Sequence, residues 1–348
     1  MAMLYVHVPF CPTICPFCSF HVLRPRDDLV AAYLDELGRE LGEVAERSAG
    51  AVIETVYLGG GTPSQLTDAE LGRLVDDVRR LLPVASDAEV TLEVHPGHVD
   101  RSRARTWESL GITRVSVGVQ STSDDALRRL GRSHDARTAL DALDAVRATG
   151  VSLNADVISC VEGQDLTADL AAVIARGIDH CSVYTLTIEP DTPFARRGVR
   201  VDEEVERRAI LTAAEVLGAA GFERYEVSNH ARPGHRCRHN SGYWAGESWF
   251  GVGPSATGHE PGHVRRTNPG FEAWLDGGRG APTVVADPEV ERLFTGLRRI
   301  EGVELPDGRW DAEVDRLVAD GLLERRGRTI RATAAGVLVL DSVAATFL

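Results

Sequence analysis

Leu4-Tyr5-Val6-His7-Val8-Pro9-Phe10-Cys11-Pro12-Thr13-Ile14-Cys15-Pro16-Phe17-Cys18 starts as an apolar, β-branched strand pattern and runs straight into three cysteines spaced C-x-x-x-C-x-x-C. Only Pro9 and Phe10 separate the strand from Cys11, so the cysteine loop sits at that strand's C-terminal end. The remaining cysteines, Cys160, Cys181 and Cys237, are scattered. A disulfide scaffold spreads pairs through a small secreted domain, whereas this clustering points to thiolates gathered for a metal. Three soft thiolates at spacings of four and three can wrap one face of an iron–sulfur cluster, leaving one iron open. Structural zinc is the rival reading. It wants a fourth ligand, for which His21 is the candidate, at a spacing from Cys18 that fits no common finger.

Further along the chain, strand-like and helix-like segments alternate. Leu4–Val8, Thr55–Leu58, Val90–Val94, Arg114–Val117, Ser152–Ile158 and Ser182–Thr187 are short, apolar and rich in β-branched residues. Between them, Leu29, Val30, Tyr33, Leu34, Leu37, Leu41 and Val44 recur at helical spacing, and Thr67-Asp68-Ala69-Glu70 forms a capping box before a second amphipathic run. Further helices are predicted over Ala136–Ala148, Leu166–Arg176 and Glu203–Ala220. Repeated β/α units with buried strands imply an α/β fold with a parallel sheet, and six units are fewer than the eight of a closed barrel. The expected architecture is a partial (β/α)6 barrel over residues 1–229. A linker or loop segment without periodicity follows over 230–286, and a C-terminal α+β, winged-helix-like accessory domain spans 287–348. In that tail, helices near Val290 and over Trp310–Asp320 precede a hairpin (Leu322–Glu324 with Thr329–Ala332) and a last helix from Ala334.

Across 348 residues, 52 acidic side chains against 38 basic ones give a net charge of −14. That balance argues against a nucleic-acid-coating surface, which needs clustered excess Lys and Arg. Hydrophobic residues at 43% are enough for a sizeable core. No apolar run approaches the roughly 18 residues of a membrane span. A strand follows Met1 almost at once, with no basic leader or apolar signal region. The expectation is a cytoplasmic protein.

The Tyr5–Cys18 stretch resembles the signature of the radical S-adenosylmethionine (SAM) superfamily, and more narrowly that of the oxygen-independent coproporphyrinogen III oxidase-like family (HemN/HemW type). Gly59-Gly60-Gly61-Thr62-Pro63-Ser64 resembles that family's Gly-Gly-Gly-Thr-Pro motif, which holds the methionyl part of SAM. By itself a Gly-rich turn is a weak signal, although glycines permit close ligand approach and free backbone N–H groups. Gly118-Val119-Gln120-Ser121, Leu130-Gly131-Arg132-Ser133-His134, Tyr184–Pro193, Tyr225–Asn229 and Leu293–Gly302 extend the likeness over essentially the whole chain. The resemblance implies a [4Fe-4S] cluster on Cys11, Cys15 and Cys18. It also implies SAM contacts at Tyr5, Phe17, Gly60, Gly61, Thr62, Glu93, Gln120, Arg132 and Asp156. One SAM is expected, or two in the family's methyltransferase branch. A one-electron donor such as flavodoxin or ferredoxin and a small-molecule or tetrapyrrole substrate complete the implied partners.

Cys237-Arg238-His239-Asn240-Ser241-Gly242-Tyr243-Trp244 resembles a His-Asn-x-x-Tyr-Trp motif tied to haem binding in the haem-chaperone branch. His239 and Cys237 are the axial-ligand candidates, and Tyr243 and Trp244 offer flat surface for a macrocycle. A structural loop anchored by the same residues is the equal alternative. Three stretches depart from that branch: Ser19-Phe20 after the last cysteine, Glu93-Val94-His95-Pro96-Gly97, and Val161-Glu162-Gly163-Gln164. All are expected at the barrel mouth, so they bear on substrate more than on the cluster. Haem handling is the leading expectation. The alternative is a HemN-like methyltransferase or cyclopropanase acting on a specialised metabolite with two SAM molecules. A true coproporphyrinogen III oxidase ranks last, because only Met1–Leu4 precede the motif where that enzyme has a longer extension.

Overall fold

The computed structural model describes residues 2–306 and 308–348. Six parallel strands lie side by side in chain order: β1 (Ala2–Val8), β2 (Ile53–Gly60), β3 (Val84–Val94), β4 (Arg114–Gln120), β5 (Ser152–Ser159) and β6 (His180–Thr185). The connecting helices are α1 (Asp27–Arg47), α2 (Asp68–Leu81), α3 (Arg101–Ser109), α4 (Asp124–Arg129), α5 (Ala136–Arg147) and α6 (Leu166–Ile174). The capping box forms as expected, with Glu70 N–H donating to Thr67 Oγ1 and Thr67 N–H to Glu70 Oε2.

Alternation along each strand sorts the side chains. Val6, Leu58, Leu92, Val115 and Val157 point out beneath the helices and form the main core. The opposite set points into the barrel and is polar. Glu93, Ser116, Asn154 and His180 fall at matching register across β3 to β6. Asn154 ties this layer together, donating to Ser116 Oγ at 2.5 Å and lying 2.5 Å from His180 Nδ1. Dispersion and burial hold the outer face, while the inner face needs hydrogen-bond partners for every buried polar group.

After β6 come α7 (Pro193–Arg196), α8 (Glu203–Ala219), β7 (Glu223–Arg224) and β8 (Asn229–Ala231), with β8 antiparallel to β6. The segment 230–286, expected as a linker without regular structure, is instead built into the sheet. Within it, α9 (Arg238–Ala245) precedes β9 (Ser248–Val252), which pairs in parallel with β1. The strands β10 (Thr257–Glu260), β11 (Val264–Thr267) and β12 (Thr283–Val284) then add antiparallel, with α10 (Phe271–Leu275) between the last two. The result is one twelve-stranded open sheet ordered β12-β11-β10-β9-β1-β2-β3-β4-β5-β6-β8-β7. These added strands are only a few residues long and rich in Gly, His and Arg. Ladder partners on the exposed edges of β1 and β6 fix them, not their own periodicity.

The tail has its own core, built on Leu293, Leu297, Val314, Leu317, Leu323, Ile330 and Val343. Helices α11 (Pro288–Gly296) and α12 (Asp311–Ala319) pack on a three-stranded antiparallel sheet of β13 (Val303–Glu304), β14 (Leu323–Arg326) and β15 (Thr329–Ala332), ordered β13-β15-β14. The expected single last helix is two, α13 (Ala334–Val337) and α14 (Leu340–Ala345). Among the described residues, no helix is long and apolar enough to cross a membrane.

Candidate cofactor cavity at the strand ends

The C-terminal ends of β1 to β6 surround a cavity of about 500 Å³ whose wall includes Cys11, Cys15 and Cys18. All three are free, partly exposed thiols. Their loop is pinned at its base by Cys11 N–H donating to Leu23 O (2.8 Å) and Leu23 N–H to Pro9 O (2.7 Å), and midway by Phe194 N–H donating to Pro16 O (3.0 Å). Burial pushes the Cys11 thiol up, opposed by the Thr62 hydroxyl 3.2 Å away, and burial likewise raises Cys18. Ligation by a metal would favour the ionised form of these two thiols. The zinc alternative loses its candidate fourth ligand: His21 Nε2 accepts from Phe271 N–H at 3.1 Å.

The Gly turn departs from expectation in one respect: its N–H groups are not free. Gly60 donates to Glu93 Oε2 (3.2 Å), Gly61 to Val8 O (2.9 Å) and Thr62 to Phe10 O (2.8 Å). Glycine is required there by crowding. A Cβ on Gly60 would lie 2.3 Å from His7 Nδ1 and one on Gly61 2.7 Å from Val8 O. The turn thus locks β2 to the root of the cysteine loop and holds Thr62 Oγ1 against Cys11.

Of the residues expected at SAM, Phe17, Gly60, Gly61, Thr62, Glu93, Gln120, Arg132 and Asp156 all line this cavity. Tyr5 does not. Its hydroxyl lies 3.2 Å from His7 Nδ1 and its ring packs against Tyr57, below the cavity floor. Glu93 accepts from Tyr57 OH at 2.7 Å, and burial, reinforced by the Asp156 charge, pushes its carboxyl up to about 7. Asp156 is raised too, mainly by burial, with Ser116 Oγ donating to it at 2.8 Å. Gln120 holds φ +65° at the end of β4, a left-handed backbone that a side chain rarely adopts and that clusters at functional sites. Arg132 points Nη1 at Cys15 Sγ and Nη2 at Gly118 O, each at 3.4 Å, while its Nε is shielded from water without a partner.

Two of the three sequence departures reach the cavity. Ser19, Phe20 and His95 line it. His95 Nδ1 accepts from Gly97 N–H (3.1 Å), and its Nε2 lies 3.2 Å from Ser133 Oγ and 3.3 Å from His134 Nδ1. Burial first, then the Arg132 charge, hold His95 down to about 3, so it is a neutral wall residue. Val161–Gln164, expected at the mouth, is not on the wall. Val161 joins an apolar cluster with Ile158, Leu186 and Phe194, and Gln164 bonds Ile158 O and Asp169. Sequence reasoning missed Tyr57, which holds Glu93, and Arg114, a buried cation inside the barrel. Both were legible as polar residues at alternating positions of otherwise apolar strands.

The Cys237–Trp244 motif lies at the other end of the barrel, where α9 plugs the N-terminal ends of β1 to β3. Cys237 caps the helix, accepting from Asn240 N–H, and donates to Glu89; burial pushes its thiol up to about 12. The N–H groups of Arg238 and His239 donate to the same Glu89 carboxylate at 2.9 and 3.0 Å. His239 is 0% exposed, with Nδ1 2.7 Å from Thr55 Oγ1 and Nε2 2.8 Å from Tyr243 OH. Burial, then the Arg114 charge, hold it down to about 3. The Trp244 ring is covered by Arg298 at 4.5 Å. In this arrangement the motif presents no ligand to a macrocycle. Of the two readings left open by the sequence, the geometry favours the structural anchor.

The radical SAM superfamily model matches residues 5–175, which include the cysteine loop, the Gly turn and the strands carrying Glu93, Gln120 and Asp156. The chain belongs to the radical SAM superfamily. It is 36% identical to the heme chaperone HemW of Mycobacterium tuberculosis (strain ATCC 25618 / H37Rv), over 99% of this chain and 94% of that one. To the heme chaperone HemW of Escherichia coli (strain K12) it is 37% identical, over 73% of this chain and 69% of that one. Within the superfamily it therefore belongs to the HemN/HemW-type, coproporphyrinogen III oxidase-like family. The solved Escherichia coli coproporphyrinogen III oxidase (HemN), 22% identical, shares the fold with a TM-score of 0.84 over 99% of this chain and 89% of that one. Membership implies a [4Fe-4S] cluster and SAM. The donor set fits both: three free thiols line the cavity together, and the unpartnered Arg132 Nε beside them suits a carboxylate.

Proposed function

We propose that this chain is a heme chaperone of the HemW type, with its cluster on Cys11, Cys15 and Cys18, SAM in the strand-end cavity and haem at the cavity mouth. The observation that carries the reading is the likeness to a heme chaperone along 99% of the chain. Cys11, Cys15 and Cys18 would hold the cluster, which would supply the electron for reductive cleavage of SAM. The chain's own residues do the rest. Arg132 orients a carboxylate with its planar fork, and Glu93, held by Tyr57 and Gly60, receives hydroxyl or amino hydrogens. Phe17, Ile158 and Leu186 keep water from the wall. A one-electron donor of the flavodoxin or ferredoxin class supplies the reducing equivalent.

Haem is assigned to the mouth because apolar surface lies open there. Phe20 is 66% exposed, Ile14 49% and Tyr184 44%, all on the cavity rim. His239, in contrast, is sealed in the α9 plug. Haem titration of the anaerobically reconstituted protein should give a Soret band at micromolar haem, weakened by Phe20→Glu and retained by His239→Ala. Loss of the band in His239→Ala with full retention in Phe20→Glu would move haem to the motif. No spectral change at all would remove the chaperone reading.

A further inference from the structure

A second cavity, of about 200 Å³, lies in the seam between the barrel and the C-terminal unit. Arg224 and Glu226 enter it from β7 and the loop after it, Arg298 and Arg299 from the end of α11, and Glu324 and Arg331 from the tail hairpin. Four guanidinium groups against two carboxylates is a local excess in a chain of net charge −14.

The pairing within the seam is uneven. Arg331 donates to Glu324 at 2.7 and 3.0 Å, and Arg299 lies 3.7 Å from Glu301. Arg236, just outside, pairs with Glu301 at 2.6 Å. These are clamps. Arg224 and Arg298 differ: among the described residues, neither guanidinium has a hydrogen-bond acceptor, and the charge that reaches both is that of Glu226 at longer range. Arg298 lies flat over Trp244, and its Nε is shielded from water without a partner. The Glu226 carboxylate already accepts from Ser228 N–H at 3.1 Å.

A shielded, unpaired polar atom such as Arg298 Nε is costly, so the wall that holds it suits something that pairs it. Forks arriving from separate walls suit a tetrahedral oxyanion, which offers acceptors in several directions, better than one planar carboxylate. At about 30 Å³ per water, the cavity has room for such an ion with part of its hydration shell. We propose that this seam binds a phosphate-type oxyanion, held by Arg224 and Arg298. The site lies at the plug end of the barrel, away from the cysteine cavity, and does not depend on the haem reading. A bound ion would join β7 to α11 and so fix the C-terminal unit against the α9 plug through Trp244.

The test is calorimetric titration of the full chain with inorganic phosphate at ionic strength matched by chloride. Saturable single-site binding is expected, weakened about tenfold or more by Arg224→Gln. Arg224→Lys, which keeps the charge but loses the fork, should fall between and serves if the glutamine variant does not fold. Phe20→Glu, altered at the other end, should bind phosphate as the parent does. ADP as competitor separates the sources: tighter binding than inorganic phosphate assigns the anion to a nucleotide tail, and equal or weaker binding to the free ion. No saturable heat beyond chloride, or equal affinity in parent, Arg224→Gln and Arg224→Lys, overturns the proposal.

Discussion

Replacing Glu93 with glutamine should stabilise the protein, and by an amount that depends on pH. Burial raises the Glu93 carboxyl from 4.5 to about 7, so between those values the folded chain holds a proton that the unfolded chain has released. Its favourable contribution is complete below pH 4.5 and is lost as pH rises through 7. At about 1.36 kcal/mol per pKa unit, the full loss is about 3 kcal/mol. Glu93 also lines the cavity, where water screens part of the charge, so about 2–3 kcal/mol is expected. Glutamine cannot ionise, and it keeps both contacts if its one oxygen accepts from Gly60 N–H while its NH2 donates to the Tyr57 hydroxyl oxygen. Urea unfolding of the metal-free chain, under reductant and anaerobically, should therefore show parent and Glu93→Gln within about 1 kcal/mol at pH 5. At pH 8 the variant should be ahead by about 2–3 kcal/mol. The difference between the two curves isolates this carboxyl from the buried histidines, which titrate in both. Parallel curves across that range would mean that Glu93 is ionised at no cost, and that the buried Glu93–Tyr57 pairing has been misread. The same variant should bind SAM more weakly, a trade of stability for function.

Two further outcomes follow from the cavity wall. Cys15→Ala should lose most iron and the brown absorbance after anaerobic reconstitution; retention of full iron would remove Cys15 from the ligand set. Arg132→Gln should keep the iron but weaken SAM binding about tenfold to a hundredfold, the value of a charge-assisted fork in a shielded site, measured by equilibrium dialysis. Unchanged affinity would mean that the shielded Nε is not aimed at a ligand.

The barrel strands were legible because each carries its own signal: β-branched alternation for a buried parallel strand, then a turn, then an amphipathic helix with its cap. The cysteine spacing was legible for the same reason, since ligands on one short loop are fixed by local sequence. The 230–286 segment was not. Its strands exist because β1 and β6 expose edges, and no local pattern in Ser248–Val252 announces a parallel partner more than two hundred residues upstream. The His239 motif shows the difference most clearly. Its residue types fit either a haem ligand or an anchor, and only the meeting of α9 with Thr55 and Glu89 on β2 and β3 favours the anchor.

By itself, then, the sequence determined the α/β class, the position of the thiols at a strand end and the polar residues at the strand ends around them, because these depend on spacings within one loop or one strand. Tertiary structure alone decided which polar groups are buried, paired or left without partners. That outcome separates Tyr5 from the cavity wall, lifts Glu93 toward neutrality and leaves two arginines of the seam without hydrogen-bond acceptors, because burial and hydrogen bonding depend on chain segments far apart in sequence.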